Sequence, residues 1–156
     1  MFEIQKDNAV FLVDVEKTQE YYQVHSVCDC PCCRNLVAQI KSVAPNLDTF
    51  LAEFGVDISR PDESGSVEMG NYIDYLFVGY TVTGKKTINE LYETEIDNLK
   101  ITISAGTNPF EWFPHEQTEP CFFISVSGLS LSWVLEEPFP TPERITEKIK
   151  RFFKKF

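Results

Sequence analysis

Histidine is scarce in this chain: His25 and His115 are the only two in 156 residues. Neither stands near an obvious nucleophile, except His25 beside Cys28, so acid–base catalysis has few side chains to draw on. No G-x-S-x-G elbow, glycine-rich phosphate loop or H-E-x-x-H pair occurs. The signatures of α/β-hydrolases, phosphate-loop enzymes and zinc proteases are therefore missing. No apolar run approaches the length of a membrane span. The N-terminus lacks the basic and then apolar pattern of a secretory signal. Internal repeats, linkers and low-complexity tracts are absent too. Basic residues are outnumbered, with 14 Lys and Arg against 24 Asp and Glu and a formal charge of −10. Such a surface repels phosphate backbones and argues against nucleic acid as a partner.

What is present is apolar bulk and one dense cluster of cysteines. Hydrophobic residues make up 43% of the chain and aromatics 13%, enough for a real core. Length and composition point to one domain over residues 1–156. Four of the five cysteines lie between Cys28 and Cys33. An odd number crowded into one stretch does not read as a disulfide framework, so a reducing cytoplasm is the expected compartment.

Pro31 suits the first turn of a helix, and Leu36, Val37, Ile40, Val43 and Ala44 follow at helical spacing. A helix is expected over Pro31 to Ala44, with Cys30 near its N-cap and Cys33 in its first turn. The helix dipole and Arg34 both favour thiolate there. Three readings stay open. Cys30 and Cys33 have the C-x-x-C spacing of thiol–disulfide enzymes, which makes them the catalytic candidates. Cys28, Cys30, Cys33 and His25 are soft or borderline ligands that suit zinc, with His115 or Cys121 as other fourth ligands. The third reading is reduced cysteines packed under a helix start.

Cys28-Asp29-Cys30-Pro31-Cys32-Cys33-Arg34-Asn35 resembles the C-x-C-x-x-C-R-N signature of a family of small uncharacterised bacterial proteins. Phe54-Gly55-Val56-Asp57 with Pro61, and Trp133-Val134-Leu135-Glu136-Glu137-Pro138, resemble two further segments of that family, the latter its late W-V-L-acidic-acidic-P segment. The resemblance spans roughly Glu20 to Pro140. It implies an intracellular α+β domain and no particular activity. The family often carries an aromatic residue at the position of Cys32, which implies that Cys32 matters least of the four.

Along the chain, Phe11 to Val15 reads as a strand and Glu20 to His25 as its antiparallel partner, which places the cysteines at a strand-to-helix junction. Leu47, Phe50, Leu51 and Phe54 form one face of a second helix ending at Gly55. Asp57 to Ser66 reads as a solvated acidic loop, although Asp57, Asp62 and Glu63 could face a hard cation. Tyr72 to Thr83 reads as a central strand, with Gly79 at a close backbone approach and Gly84-Lys85 as a turn. Thr87 to Ile96 leans to strand, and Leu99 to Ser104 alternates cleanly. Ala105 to Pro120 reads as a long loop. In it Trp112, Phe113 and His115 are candidates for lining a pocket, and Glu111, His115 and Glu116 for an acid–base group. The alternation from Phe122 shifts phase at Gly128, which suggests a bulge. A last helix is expected from Pro142 to Phe156, basic on one side, docking on the acidic body rather than on an anionic membrane.

The expected fold is α+β: an antiparallel sheet of five to seven strands carrying a helical hairpin and the C-terminal helix. The expected function is a cytoplasmic binding or interaction module with a cysteine-rich, candidate zinc-binding element and a protein or small molecule as its partner. The alternative is a thiol-dependent redox enzyme using Cys30 and Cys33.

Overall fold

The computed structural model describes residues 1–87, 91–106, 111–140 and Lys154. The expected helix from Pro142 to Phe156 lies outside the described residues, apart from Lys154.

The architecture is α+β, as expected, with an antiparallel sheet and three helices. Two N-terminal strands, β1 (Phe2–Lys6) and β2 (Ala9–Val13), form a hairpin. Helices α1 (Val15–Val24), α2 (Pro31–Val43) and α3 (Pro45–Glu53) follow. Then come β3 (Glu63–Glu68), the long β4 (Tyr72–Lys86), β5 (Tyr92–Ile96), β6 (Leu99–Ser104), β7 (Cys121–Ser127) and β8 (Leu129–Ser132). The sheet runs β1-β2-β4-β7-β6-β5, with β3 and β8 also paired to β4. The central role expected for Tyr72 to Thr83 holds, because β4 pairs directly with four of the seven other strands, β2, β3, β7 and β8.

Eight strands exceed the expected five to seven for two reasons. The strand β1 pairs Phe2 through Lys6 with β2. The acidic segment read as loop from Asp57 to Ser66 contributes the start of β3, whose Glu63 to Glu68 pair with β4. At Gly128 the chain continues rather than turning back: Val126 opposes Val78 on β4, and Leu129 opposes Tyr75, in one unbroken register. Burial shifts phase on both strands, from Ile73 and Tyr75 to Val78 and Tyr80, and from Val126 to Leu129. The bulge expected at Gly128 is therefore not in the pairing of β7 and β8 with β4; the extra residue is Leu76 on β4, where β3 slips from Gly65 opposite Phe77 to Ser66 opposite Tyr75.

Other sequence expectations fail. Glu20 to His25 is not a strand but the second half of α1 and its C-cap. Asp14 caps that helix, its Oδ1 accepting from Lys17 N–H at 3.1 Å. Thr18, Tyr21, Tyr22 and His25 then fall at intervals of three, one and three and are all buried, which is a helical stripe. The cysteines therefore sit between two helices, not at a strand-to-helix junction. The expected turn at Gly84-Lys85 is also absent, because β4 runs through it to Lys86. Gly84 has φ 145°, and a side chain there would overlap the Leu12 carbonyl on β2. The glycine marks a close crossing of two strands.

The helices α2 and α3 meet through Ala44 alone, the C-cap of one and N-cap of the other. Ala44 has no capping oxygen, so Asp97 from the turn between β5 and β6 caps α3 instead. It accepts from Asn46 N–H and Leu47 N–H, both at 3.0 Å. The main core lies between the helices and one face of the sheet. It joins Phe11, Leu36, Ile40, Leu47, Leu51 and Phe54 to Ile73, Tyr80, Ile101, Phe122 and Ile124. The loop ahead of β7 covers the other face: Phe113 packs on Phe123 at 5.0 Å and on Phe77 at 6.5 Å between ring centroids. Gly79 is small because Phe113 lies over it, within 2.7 Å of where a Cβ would stand. Among the described residues no helix is long and apolar enough to cross a membrane.

Candidate metal centre

The cysteine stretch is held from several sides. Cys30 is the N-cap of α2, and its Sγ accepts from Cys33 N–H at 3.4 Å. Pro31 opens the helix, as its fixed φ and missing N–H allow. Upstream, the loop from α1 is fastened at the His25 carbonyl by Arg60 Nη2 at 2.8 Å. Ser26 N–H donates to Glu116 Oε2 at 3.1 Å. Arg34 Nε donates to the Asp29 carbonyl at 2.8 Å, while its guanidinium grips Glu137 with both terminal nitrogens.

These restraints bring the sulfurs of Cys28, Cys30 and Cys33 within 4.8 Å of one another. Cys28 and Cys30 sit at the surface and Cys33 is buried. Tetrahedral zinc, with Zn–S of about 2.3 Å, spaces its sulfurs about 3.8 Å apart. The triad therefore closes on such an ion with movements on the order of 1 Å. The group is made wholly of thiols, which suits a soft or borderline ion.

The three thiols are not equivalent. Burial pushes Cys33 up to about 12, and the neighbouring Cys30 and Cys28 sulfurs add to that, against a lowering contact from Ser64. Burial also acts on Cys30, but hydrogen bonds from the Cys33 N–H and from the Cys33 and Cys28 thiols outweigh it and leave its pKa below the ordinary thiol value. Cys30 is thus the sulfur that most readily carries charge, at a helix N-terminus as expected. Cys32 faces elsewhere. Its Sγ lies 4.0 Å from Glu68 Oε1, and burial raises its pKa, with Glu68 contributing.

His25, expected with the thiols, is not brought to them: its ring nitrogens do not join the group of three. Its position on the inner stripe of α1 explains why. The ring stacks on Tyr21 at 4.8 Å and meets Tyr22 edge-on at 4.9 Å. Nδ1 lies 3.2 Å from the Tyr21 carbonyl, and Nε2 is buried with no hydrogen-bond partner among the described residues. His115 and Cys121 do not join the group either. His115 Nδ1 accepts from Gln117 N–H at 3.1 Å, and Cys121 opens β7 opposite Thr83.

The other candidates scatter. Glu111, Trp112 and Phe113 do line a hollow of about 310 Å³ on the second sheet face, but His115 is not part of its wall. Glu116 is spent on Ser26, so the expected acid–base trio does not assemble. Asp62 serves the fold, accepting from Tyr21 OH, from Tyr22 OH and from Thr81 N–H at 2.9 Å. Asn35 is fully buried and ties α2 to the end of β8. It donates to the Ser132 carbonyl at 3.1 Å and accepts from Val134 N–H at 3.0 Å. With Arg34 it belts the cysteine turn to the segment from Trp133 to Glu137. The partner segment lies 97 to 103 residues further along the chain from Arg34 and Asn35.

No protein-family model, curated protein or solved structure matches the chain.

Proposed function

We propose that the chain is a cytoplasmic binding or interaction module built around a metal centre, with zinc held by Cys28, Cys30 and Cys33. The observation that carries this reading is the convergence of three sulfurs within 4.8 Å at the start of α2. A dithiol needs two sulfurs and a metal centre needs three or four, so the third thiol favours metal. The ion would staple the loop after α1 to the first turn of α2, beside the Arg34–Glu137 pair. Five free cysteines fit a reducing compartment. The acidic balance favours a protein or small-molecule partner over nucleic acid. The C-x-C-x-x-C-R-N pattern behind the bacterial resemblance consists of the three clustered cysteines with Arg34 and Asn35, and membership of that family is part of the proposal. The test is zinc content in wild type and Cys33→Ser: the variant loses the ion, whereas Cys32→Ser keeps it.

A second reading rests on the unequal thiols. A surface cysteine with a lowered pKa beside a buried one with a raised pKa is what an attacking and a resolving thiol require. In that reading Cys30 and Cys33 cycle between dithiol and disulfide, and Cys28 is a bystander. Metal-free protein that forms a Cys30–Cys33 disulfide reversibly in glutathione buffers would favour it.

A further inference from the structure

The triad's surroundings bear on how its ion would be used, and the inference rests on the metal reading above. Among the described residues, no fourth His, Cys, Asp or Glu joins the three sulfurs. The nearby candidates are committed elsewhere. His25 would have to leave its stack on Tyr21 and its contact with the Tyr21 carbonyl. Cys32 points to Glu68. The loop cannot easily swing another group inward, because its backbone is bonded at His25, Ser26 and Asp29. Two of the three ligand residues, Cys28 and Cys30, lie at the surface, so an ion between them faces solvent. A zinc site with three protein ligands and one external ligand exchanges that ligand, whereas a closed four-ligand site is structural.

We infer that the ion keeps its fourth coordination position for a small external thiolate, so that the centre receives and releases a thiophilic metal through low-molecular-weight thiols. Two features favour a thiolate over a hard ligand. An ion held by three sulfurs prefers a further soft donor. The N-terminus of α2, which Cys30 caps, supplies positive potential for the added negative charge. Binding is a ligand substitution with no change of oxidation state. The thiol loses its proton to solvent, its sulfur bonds to the ion, and a bound water leaves.

The full chain loaded with cobalt(II) reports this directly, through its ligand-field and sulfur-to-metal charge-transfer bands. Added glutathione is expected to shift the bands saturably while the cobalt stays with the protein on gel filtration, and S-methylglutathione is expected to do nothing. The bands should be unchanged in His25→Phe, which keeps a ring in the stack, and in His115→Ala and Cys121→Ser. Cobalt bands that ignore glutathione, or that change in one of those variants, would mean a closed shell and overturn the inference while leaving the metal site intact. Cobalt stripped off by glutathione without a protein-bound intermediate would overturn it too. A chain that binds no cobalt would sink the metal reading itself.

Discussion

Asn35 shows how much one side chain carries at the end of α2 nearest the cysteines. It is fully buried, and its amide pairs with the Ser132 carbonyl and Val134 N–H across 97 and 99 residues of sequence. Removing it takes the partner from Val134 N–H and leaves the Ser132 carbonyl with Gln39 Nε2 alone, at 2.8 Å. Asn35→Ala should cost about 1–3 kcal/mol in a urea melt, and an unchanged midpoint would show that water replaces the amide. Cys30 and Cys33 differ in the opposite sense. With no metal added, Cys30 should alkylate with iodoacetamide faster than Cys33, and its rate should rise at a lower pH than that of an ordinary cysteine, because its thiolate is favoured. Cys33 should stay slow until well above neutrality. Equal rates would remove the argument for an activated thiol. At this scale the sequence was informative: a cysteine before Pro31 could be placed at an N-cap, and the triad could be named. His25 could not be excluded, because its commitment to Tyr21 appears only once α1 is known to be a helix.

The elements divide by how local their signal is. Both α2 and α3 were legible because Pro31, Pro45 and the apolar spacing all lie within the segment. The helix α1 was not, since Tyr21, Tyr22 and Val24 favour strands and its cap, Asp14, falls inside the apolar run from Phe11 to Val15 that reads as a strand. The turn between β5 and β6 is marked in the sequence by Asp97 and Asn98 alone, with no glycine or proline. Asp97 and Asn98 both have positive φ, the conformation of a two-residue hairpin turn. That turn also supplies the α3 cap. Hydrogen bonds from the Asn46 side chain, and from the Leu47 and Asn46 N–H groups, hold the Asp97 carboxyl below its ordinary pKa. A depressed carboxyl stabilises the fold above its unfolded pKa, and that contribution is lost as pH falls through the folded value. Wild type should therefore lose more stability than Asp97→Asn as pH drops below about 4. Parallel acid-melt curves would contradict the cap. Gly84→Ala tests the strand crossing: overlap with Leu12 and the strained φ should destabilise by on the order of 3 kcal/mol. A neutral result would mean that β2 can move away from β4.

Across the whole molecule, a sheet with helices on one face and the β7 loop on the other leaves the cysteine turn at the surface, braced by Arg34, Arg60, Glu116 and Glu137. The bracing comes from residues up to 103 positions away, so no reading of the stretch from Cys28 to Cys33 alone could find it. The central claim is that this bracing prepares three thiols for one ion. The most direct test is zinc content together with thiol counting, on the full chain purified without chelator. The account predicts one zinc per chain, with Cys28, Cys30 and Cys33 shielded from alkylation until a chelator removes it. Metal-free protein with Cys28 and Cys30 freely alkylated in the native state would contradict it.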